Sequence, residues 1–243
     1  MVNTPHITFD DELESLSAQI AQMGGLAEEQ VANALNAISR RDSALAEKTI
    51  AKDEQINLLQ QDIDAASVQT LALRQPMGRD LREVMGPIKI ASDLERIGDL
   101  AKNVAKRALV LNRQEPVSLT RGLVRMGRQS LVQLKDVLDA YAERDVAAAM
   151  EVWAQDEDID ELYNSLLREF LTYMMEDPRT IGLCTHLLFI AKNLERIGDH
   201  ATKIAETIYF IQEGHYLAED RPKGAPEDFA GVHPSSDNDT RDE

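Results

Sequence analysis

Apolar residues recur at steps of three and four from early in the chain: Leu13, Leu16, Ile20, Met23, Ala27, Val31, Ala34 and Ile38. That spacing keeps one face of a helix apolar, so it predicts a single long amphipathic helix that breaks at Arg41-Asp42-Ser43. Ala46, Ile50, Ile56, Leu59, Ile63, Ala66 and Leu73 predict a second helix, ended near Pro76. A third runs through Ile88, Ile90, Leu94, Ile97, Val104 and Leu109 and stops between Asn112 and Pro116. From Val117 the pattern starts again, predicting helices over about 117–142, 146–175 and 178–212, with Pro178 suited to a first helical turn. The expected fold is all-α.

An internal repeat makes the two halves equivalent. Leu94-Glu95-Arg96-Ile97-Gly98-Asp99 recurs letter for letter as Leu194-Glu195-Arg196-Ile197-Gly198-Asp199, an offset of 100. Arg41-Asp42, Asp53-Glu54, Ile56 and Leu59 recur as Arg144-Asp145, Asp156-Glu157, Ile159 and Leu162, an offset of 103. Ordered matches at nearly one offset imply a duplicated unit: two tandem three-helix bundles, over 8–114 and 117–214, related by an approximate two-fold axis. The remainder, 215–243, contains Pro222, Pro226 and Pro234, carries eight acidic residues against three basic ones, and reads as a disordered acidic tail.

Composition narrows the function. Lys plus Arg is 26 and Asp plus Glu is 43, a net charge of −17, which repels a phosphate backbone and disfavours a nucleic-acid partner. With 43% hydrophobic but only 5% aromatic residues, the core is built from aliphatic side chains and methionine. The lone Cys184 lies in an apolar run, cannot form an internal disulfide or a thiolate metal site, and suits a reducing cytoplasm. Neither a signal-type N-terminus nor an eighteen-residue apolar stretch is present, so a cytoplasmic location is expected.

The doubled motif is the main candidate for chemistry. Glu95 and Asp99, like Glu195 and Asp199, stand four apart on one helix face, where like charges cost about 0.2–0.5 kcal/mol. Gly98 and Gly198 each add about 1 kcal/mol for glycine inside a helix. A solvated strip, with Arg96 and Arg196 paired to Asp99 and Asp199, explains one isolated copy. The preceding helix shifts the balance: Ile159, Leu162, Tyr163, Leu166, Leu167, Phe170 and Trp153 span an apolar arc of about 180°, and Asp156 and Asp160 fall inside it. A carboxylate facing a core must be neutralised, hydrogen-bonded or bound to a cation. Asp53 occupies the same angle in the first unit, but Asn57 stands where a counterpart of Asp160 is expected. If the second and third helices of each unit face each other, Asp156, Asp160, Glu195 and Asp199 converge, as do Asp53, Asn57, Glu95 and Asp99. All-oxygen clusters suit hard cations or iron better than zinc; buried arginine–carboxylate networks are the competing explanation.

Histidine adds little. None of the five histidines follows a Glu-x-x-His pattern, which disfavours a ferritin-like di-iron enzyme, and His200 has Leu100 as its counterpart, which fits a partly buried structural role. Nucleophile triads, phosphate-binding glycine loops and dinucleotide fingerprints are missing, so no motif supports an enzyme.

Ala72-Leu73-Arg74-Gln75-Pro76-Met77, Asp80-Leu81-Arg82, the doubled Leu-Glu-Arg-Ile-Gly-Asp, and Thr172-Tyr173-Met174-Met175-Glu176-Asp177-Pro178-Arg179 together resemble the PhoU family, the accessory proteins of bacterial phosphate-specific transport. The resemblance runs from about Thr8 to Gly214. It implies two similar three-helix bundles in a cytoplasmic, often homodimeric protein. It also implies multinuclear iron or zinc clusters on Glu/Asp-x-x-x-Asp motifs, which here fall on Glu95 with Asp99, Glu195 with Asp199, and Asp156 with Asp160, whereas Asp53 with Asn57 departs from the motif. Its implied role is a non-enzymatic adaptor that holds the phosphate-regulon response off through a PstB-type transporter ATPase and a PhoR-type sensor kinase. A metal-dependent, phosphate-handling helical enzyme and a purely structural scaffold are the alternatives.

Overall fold

The computed structural model describes residues 8–218. Its helices are α1 (Phe9–Ser39), α2 (Ser43–Arg74), α3 (Arg79–Leu111), α4 (Thr120–Glu143), α5 (Val146–Ala154), α6 (Asp156–Glu176) and α7 (Ile181–Glu213), with a 3-10 turn at Pro178–Thr180. No strand occurs among the described residues. α1, α2 and α3 form one three-helix bundle; α4, the α5–α6 pair and α7 form the second.

Caps fix where the helices begin. Thr8 and Asp11 form a reciprocal capping box at the start of α1. Asp42 accepts from the Leu45 N–H at 2.9 Å, and its repeat partner Asp145 accepts from the Ala148 N–H at 3.0 Å. The residue before each cap, Arg41 or Arg144, takes a left-handed backbone with φ near +56° and +55°. The duplicated Arg-Asp pair is therefore a duplicated turn. α3 begins at Arg79, ahead of the apolar periodicity that started at Ile88, and continues through the buried Pro87.

The expected single helix over 146–175 is instead two. Gln155 (φ −78°, ψ 0°) closes α5, its N–H meeting the carbonyls of both Glu151 and Val152 at 3.2 Å, and α6 starts at Asp156. Trp153 Nε1 donates to Glu206 at 3.2 Å and ties α5 to α7. The break places Asp156, Glu157 and Asp158 in the first turn of α6, where free N–H groups favour carboxylates.

The bundles share one core because α3 packs on α7 and α1 on α4. A Cβ at Gly24 would stand 2.8 Å from Leu138, and one at Gly127 would overlap Leu35 outright. Both pairs are related by the offset of 103, so α1 and α4 interlock reciprocally, as a two-fold relation requires. Cys184 is fully buried, as its apolar setting suggested, and burial pushes its thiol pKa up. Of the expected tail, residues 215–218 turn back on α3, where Lys89 donates to the Tyr216 hydroxyl at 2.9 Å and Tyr216 stacks on Phe210. The rest of the tail lies outside the described residues.

Candidate functional site: the paired carboxylate clusters

In each bundle the motif helix faces its neighbour across a glycine. A Cβ on Gly98 would meet Ile56 of α2 at 2.9 Å, and one on Gly198 would meet Ile159 of α6 at 3.0 Å. Glycine lets the two carboxylate-bearing helices approach closely here, and a Cβ would oblige the tip of each isoleucine to give way.

In the first bundle, Asp53 is buried on α2, and Glu95 and Asp99 project from α3. Lys102, one turn beyond Asp99, donates to Asp53 Oδ2 at 2.5 Å and to Asp99 Oδ1 at 2.8 Å. Burial works against that ammonium, but its two carboxylate bonds outweigh it and raise its pKa. Arg96, the partner expected for Asp99, stands 3.7 Å away with its side chain well exposed, so Lys102 is the principal counter-ion. Burial raises the pKa of Glu95, opposed by Arg96 and reinforced by Asp99 and Asp53.

The second bundle has the same frame and a different filling. At the position of Lys102 stands Thr202, whose hydroxyl lies 3.1 Å from Asp156 Oδ1 and 2.9 Å from the Gly198 carbonyl. Asp156 is 1% exposed. Lys192 reaches Glu195 Oε1 at 2.6 Å, leaving Glu195 Oε2 buried without a partner. Burial raises the Glu195 pKa, with Asp199 and Asp160 adding to the shift and Lys192 opposing it. Asp160, Glu195 and Asp199 thus share one electrostatic neighbourhood.

Among the described residues, no three Asp, Glu, His or Cys side chains are grouped as a ready-made ligand set. The donor chemistry nevertheless separates the two bundles. In the first, the Lys102 ammonium takes a cation's place between Asp53 and Asp99. In the second, Thr202 stands in that lysine's place, and Lys192 takes one oxygen of Glu195 and leaves the other buried without a partner, a donor open to a hard cation. Sequence reasoning missed Lys102 and Thr202, although comparing position 102 with 202 in the repeat exposes the difference. His200 is buried at the junction of the bundles, its Nδ1 2.8 Å from Asp93 of α3.

A folded-state pKa raised by burial means that Glu195 withdraws stability as pH rises through that value, because the folded protein holds the proton more tightly than the unfolded chain does. Metal-free Glu195→Gln is expected to melt above the wild type at pH 7, with the gap closing below about pH 4, where both states are protonated. Thermal melts across that range check this. A fall in melting temperature at pH 7 that closes on acidification would show that the lost Lys192 ion pair dominates.

Both bundles match the PhoU domain, over residues 20–108 and 123–208. The chain is 53% identical over 217 residues to the phosphate-specific transport system accessory protein PhoU homolog of Caulobacter vibrioides, covering 89% of this chain and 94% of that protein. It is 40% identical over 206 residues to the protein PhoU of Escherichia coli, covering 85% of this chain and 86% of that one. In structure it is similar to PhoU from Pseudomonas aeruginosa, with a TM-score of 0.83, 40% identity and coverage of 86% of this chain and all of that one. The phosphate transport system regulatory protein PhoU of Streptococcus pneumoniae aligns with a TM-score of 0.81 and 33% identity, over 87% of this chain and all of that one. With the duplicated bundle, the repeated carboxylate motif and matches across both halves, the chain belongs to the PhoU family.

Proposed function

We infer that this protein is a non-enzymatic accessory regulator of phosphate transport that holds the phosphate-starvation response off when phosphate is plentiful. The observation that carries this reading is the match of both bundles, over nearly the whole chain, to accessory proteins of phosphate-specific transport systems. An adaptor acts by binding, and the two helix-hairpin ends supply apolar surface for it. Leu73, Met77 and Leu81 are exposed around the α2–α3 turn, and Tyr173, Met175 and Ile181 around the α6–α7 turn. Exposed apolar clusters of this kind suit protein contacts. The partners assigned are a PstB-type transporter ATPase and a PhoR-type sensor kinase, met at the cytoplasmic side. No helix among the described residues is long and apolar enough to cross a membrane.

The carboxylate clusters would hold iron, zinc or another divalent cation, chiefly through Asp156, Asp160, Glu195 and Asp199, with Asp53, Glu95 and Asp99 as the poorer counterpart. Such an ion would neutralise converging buried carboxylates and brace the helices that present them.

Deleting the gene is expected to raise phosphate-regulon expression in phosphate-replete medium, and affinity purification from replete cells is expected to recover the transporter ATPase or the kinase. Full repression without the protein, together with failure to recover either partner, would overturn the assignment. Turnover of a phosphorylated substrate by the purified protein would favour an enzyme instead.

A further inference from the structure

On α4, Arg121, Arg125 and Arg128 fall at spacings of four and three, so they share one helix face. All three are exposed, and none of their guanidinium groups has a hydrogen-bond or ion-pair partner among the described residues. They line an open groove of about 700 Å³ together with Thr120, Ser39 at the end of α1, and Gln155 at the α5–α6 break. In a chain of net charge −17, three guanidinium groups on one groove stand against the prevailing field.

A second feature of the groove is independent of these charges. Gln133 borders it, is 1% exposed, and turns its amide inward, the oxygen 3.1 Å from where a Cβ on Gly198 of α7 would stand, with no partner for either amide atom. Its repeat counterpart Gln30, with the amide oriented to suit its neighbours, donates to the Gly98 carbonyl at 3.2 Å and accepts from the Asp53 N–H at 3.1 Å. α2 runs unbroken through Asp53, whereas the equivalent helix is interrupted at Gln155, just before Asp156. The second bundle therefore holds a buried amide that is left unsatisfied beside a basic groove.

The repeat also shows that the arginines are not needed to build the bundle. Their counterparts on α1, at the offset of 103, are Ala18, Gln22 and Gly25, none of them charged. Guanidinium presents a planar fork that matches phosphoryl oxygens in pairs. Arg121 and Arg128 are seven residues apart, which is about 10 Å along a helix rising about 1.5 Å per residue. That span exceeds a single orthophosphate and suits a chain of linked phosphoryl groups. Asp158 and Glu161 line the adjoining recess beside Arg125 and bound the basic surface on that side.

We propose that this groove binds an oligophosphate, either inorganic or carried by a nucleotide, through Arg121, Arg125 and Arg128. Val124 and the exposed Val132 supply apolar wall on which a nucleobase could rest.

Isothermal titration of the full chain, without magnesium so that no cation bridges ligand to carboxylate, tests this with tripolyphosphate, adenosine triphosphate and orthophosphate. Tripolyphosphate is expected to bind at least tenfold tighter than orthophosphate and to weaken as salt is added. Arg125→Ala is expected to weaken it at least tenfold, and the triple alanine variant to abolish it, with circular dichroism unchanged. Lys135→Ala, an exposed lysine farther along α4 paired to Asp139, is expected to leave it unaltered. Tighter binding of adenosine triphosphate than of tripolyphosphate would assign a nucleotide, and the reverse an inorganic chain. The proposal is overturned by equal affinity of wild type and triple variant, by no tripolyphosphate binding at millimolar concentration, or by equal competition from a polyglutamate peptide. Direct binding is the readout, so failure here leaves the regulatory reading untouched.

Discussion

Valine at both Gly24 and Gly127 is expected to destabilise the protein by about 4 kcal/mol, seen as a lower urea midpoint with little change in slope. The crossing of α1 and α4 depends on these two glycines. A Cβ at Gly127 would overlap one methyl carbon of Leu35 and stand 3.0 and 3.1 Å from two more of its carbons, and one at Gly24 would stand 2.8, 2.9 and 3.4 Å from three carbons of Leu138. Leu35 is 4% exposed and cannot swing into solvent. Each overpacked site costs about 1–3 kcal/mol, well above the few tenths recovered when valine replaces glycine in a helix. The two sites lie on one interface and relax together, so the double variant measures the crossing as a whole. Gly25 is the internal control. A Cβ there meets nothing within 4 Å, and Gly25→Ala is expected to stabilise α1 by about 1 kcal/mol. A double valine variant as stable as the wild type would show that the helices separate freely at this point.

Most of the architecture was legible because helical periodicity and duplication are both local signals. Six helical segments and the pairing of Glu95/Asp99 with Glu195/Asp199 follow from spacing alone. The burial of Asp53 and Asp156 also followed from their place inside an apolar arc, whereas Asp160, in the same arc, is only half-buried. The break at Gln155 was not legible. No proline or glycine marks it, and the apolar positions on either side continue the same arc. The packing of Trp153 on α7 and its bond to Glu206 hold α5 there, and those contacts are non-local. The role of Lys102 was hidden for a related reason. Arg96 and Lys102 are both three residues from Asp99, and sequence spacing cannot say which cation turns inward. In the structure Lys102 also reaches Asp53 on α2, a contact spanning 49 positions. His200 is likewise explained only by a partner in the other bundle, Asp93.

Metal is expected to load the second bundle ahead of the first, and position 102 decides why. In the first bundle Lys102 already neutralises Asp53 and Asp99, so an incoming cation must displace an ammonium bonded to both. The second bundle offers Thr202 in its place, and its own ammonium, Lys192, engages only one oxygen of Glu195 and leaves the other buried with no partner. It also has Asp160 where the first has Asn57, whose neutral amide oxygen is a weaker cation ligand. Glu195→Gln with Asp199→Asn is therefore expected to remove more bound iron or zinc than Glu95→Gln with Asp99→Asn, measured by elemental analysis after chelator-free purification. Lys102→Thr turns the comparison around. Without metal it strands Asp53, whose side chain is 6% exposed, beside Asp99, and losing one member of such a buried pair costs about 3–5 kcal/mol. With metal present, the same variant is expected to gain a bound ion in the first bundle and recover part of that loss. Equal metal content in the wild type and all three variants would mean that these carboxylates serve helix packing and ion pairs alone.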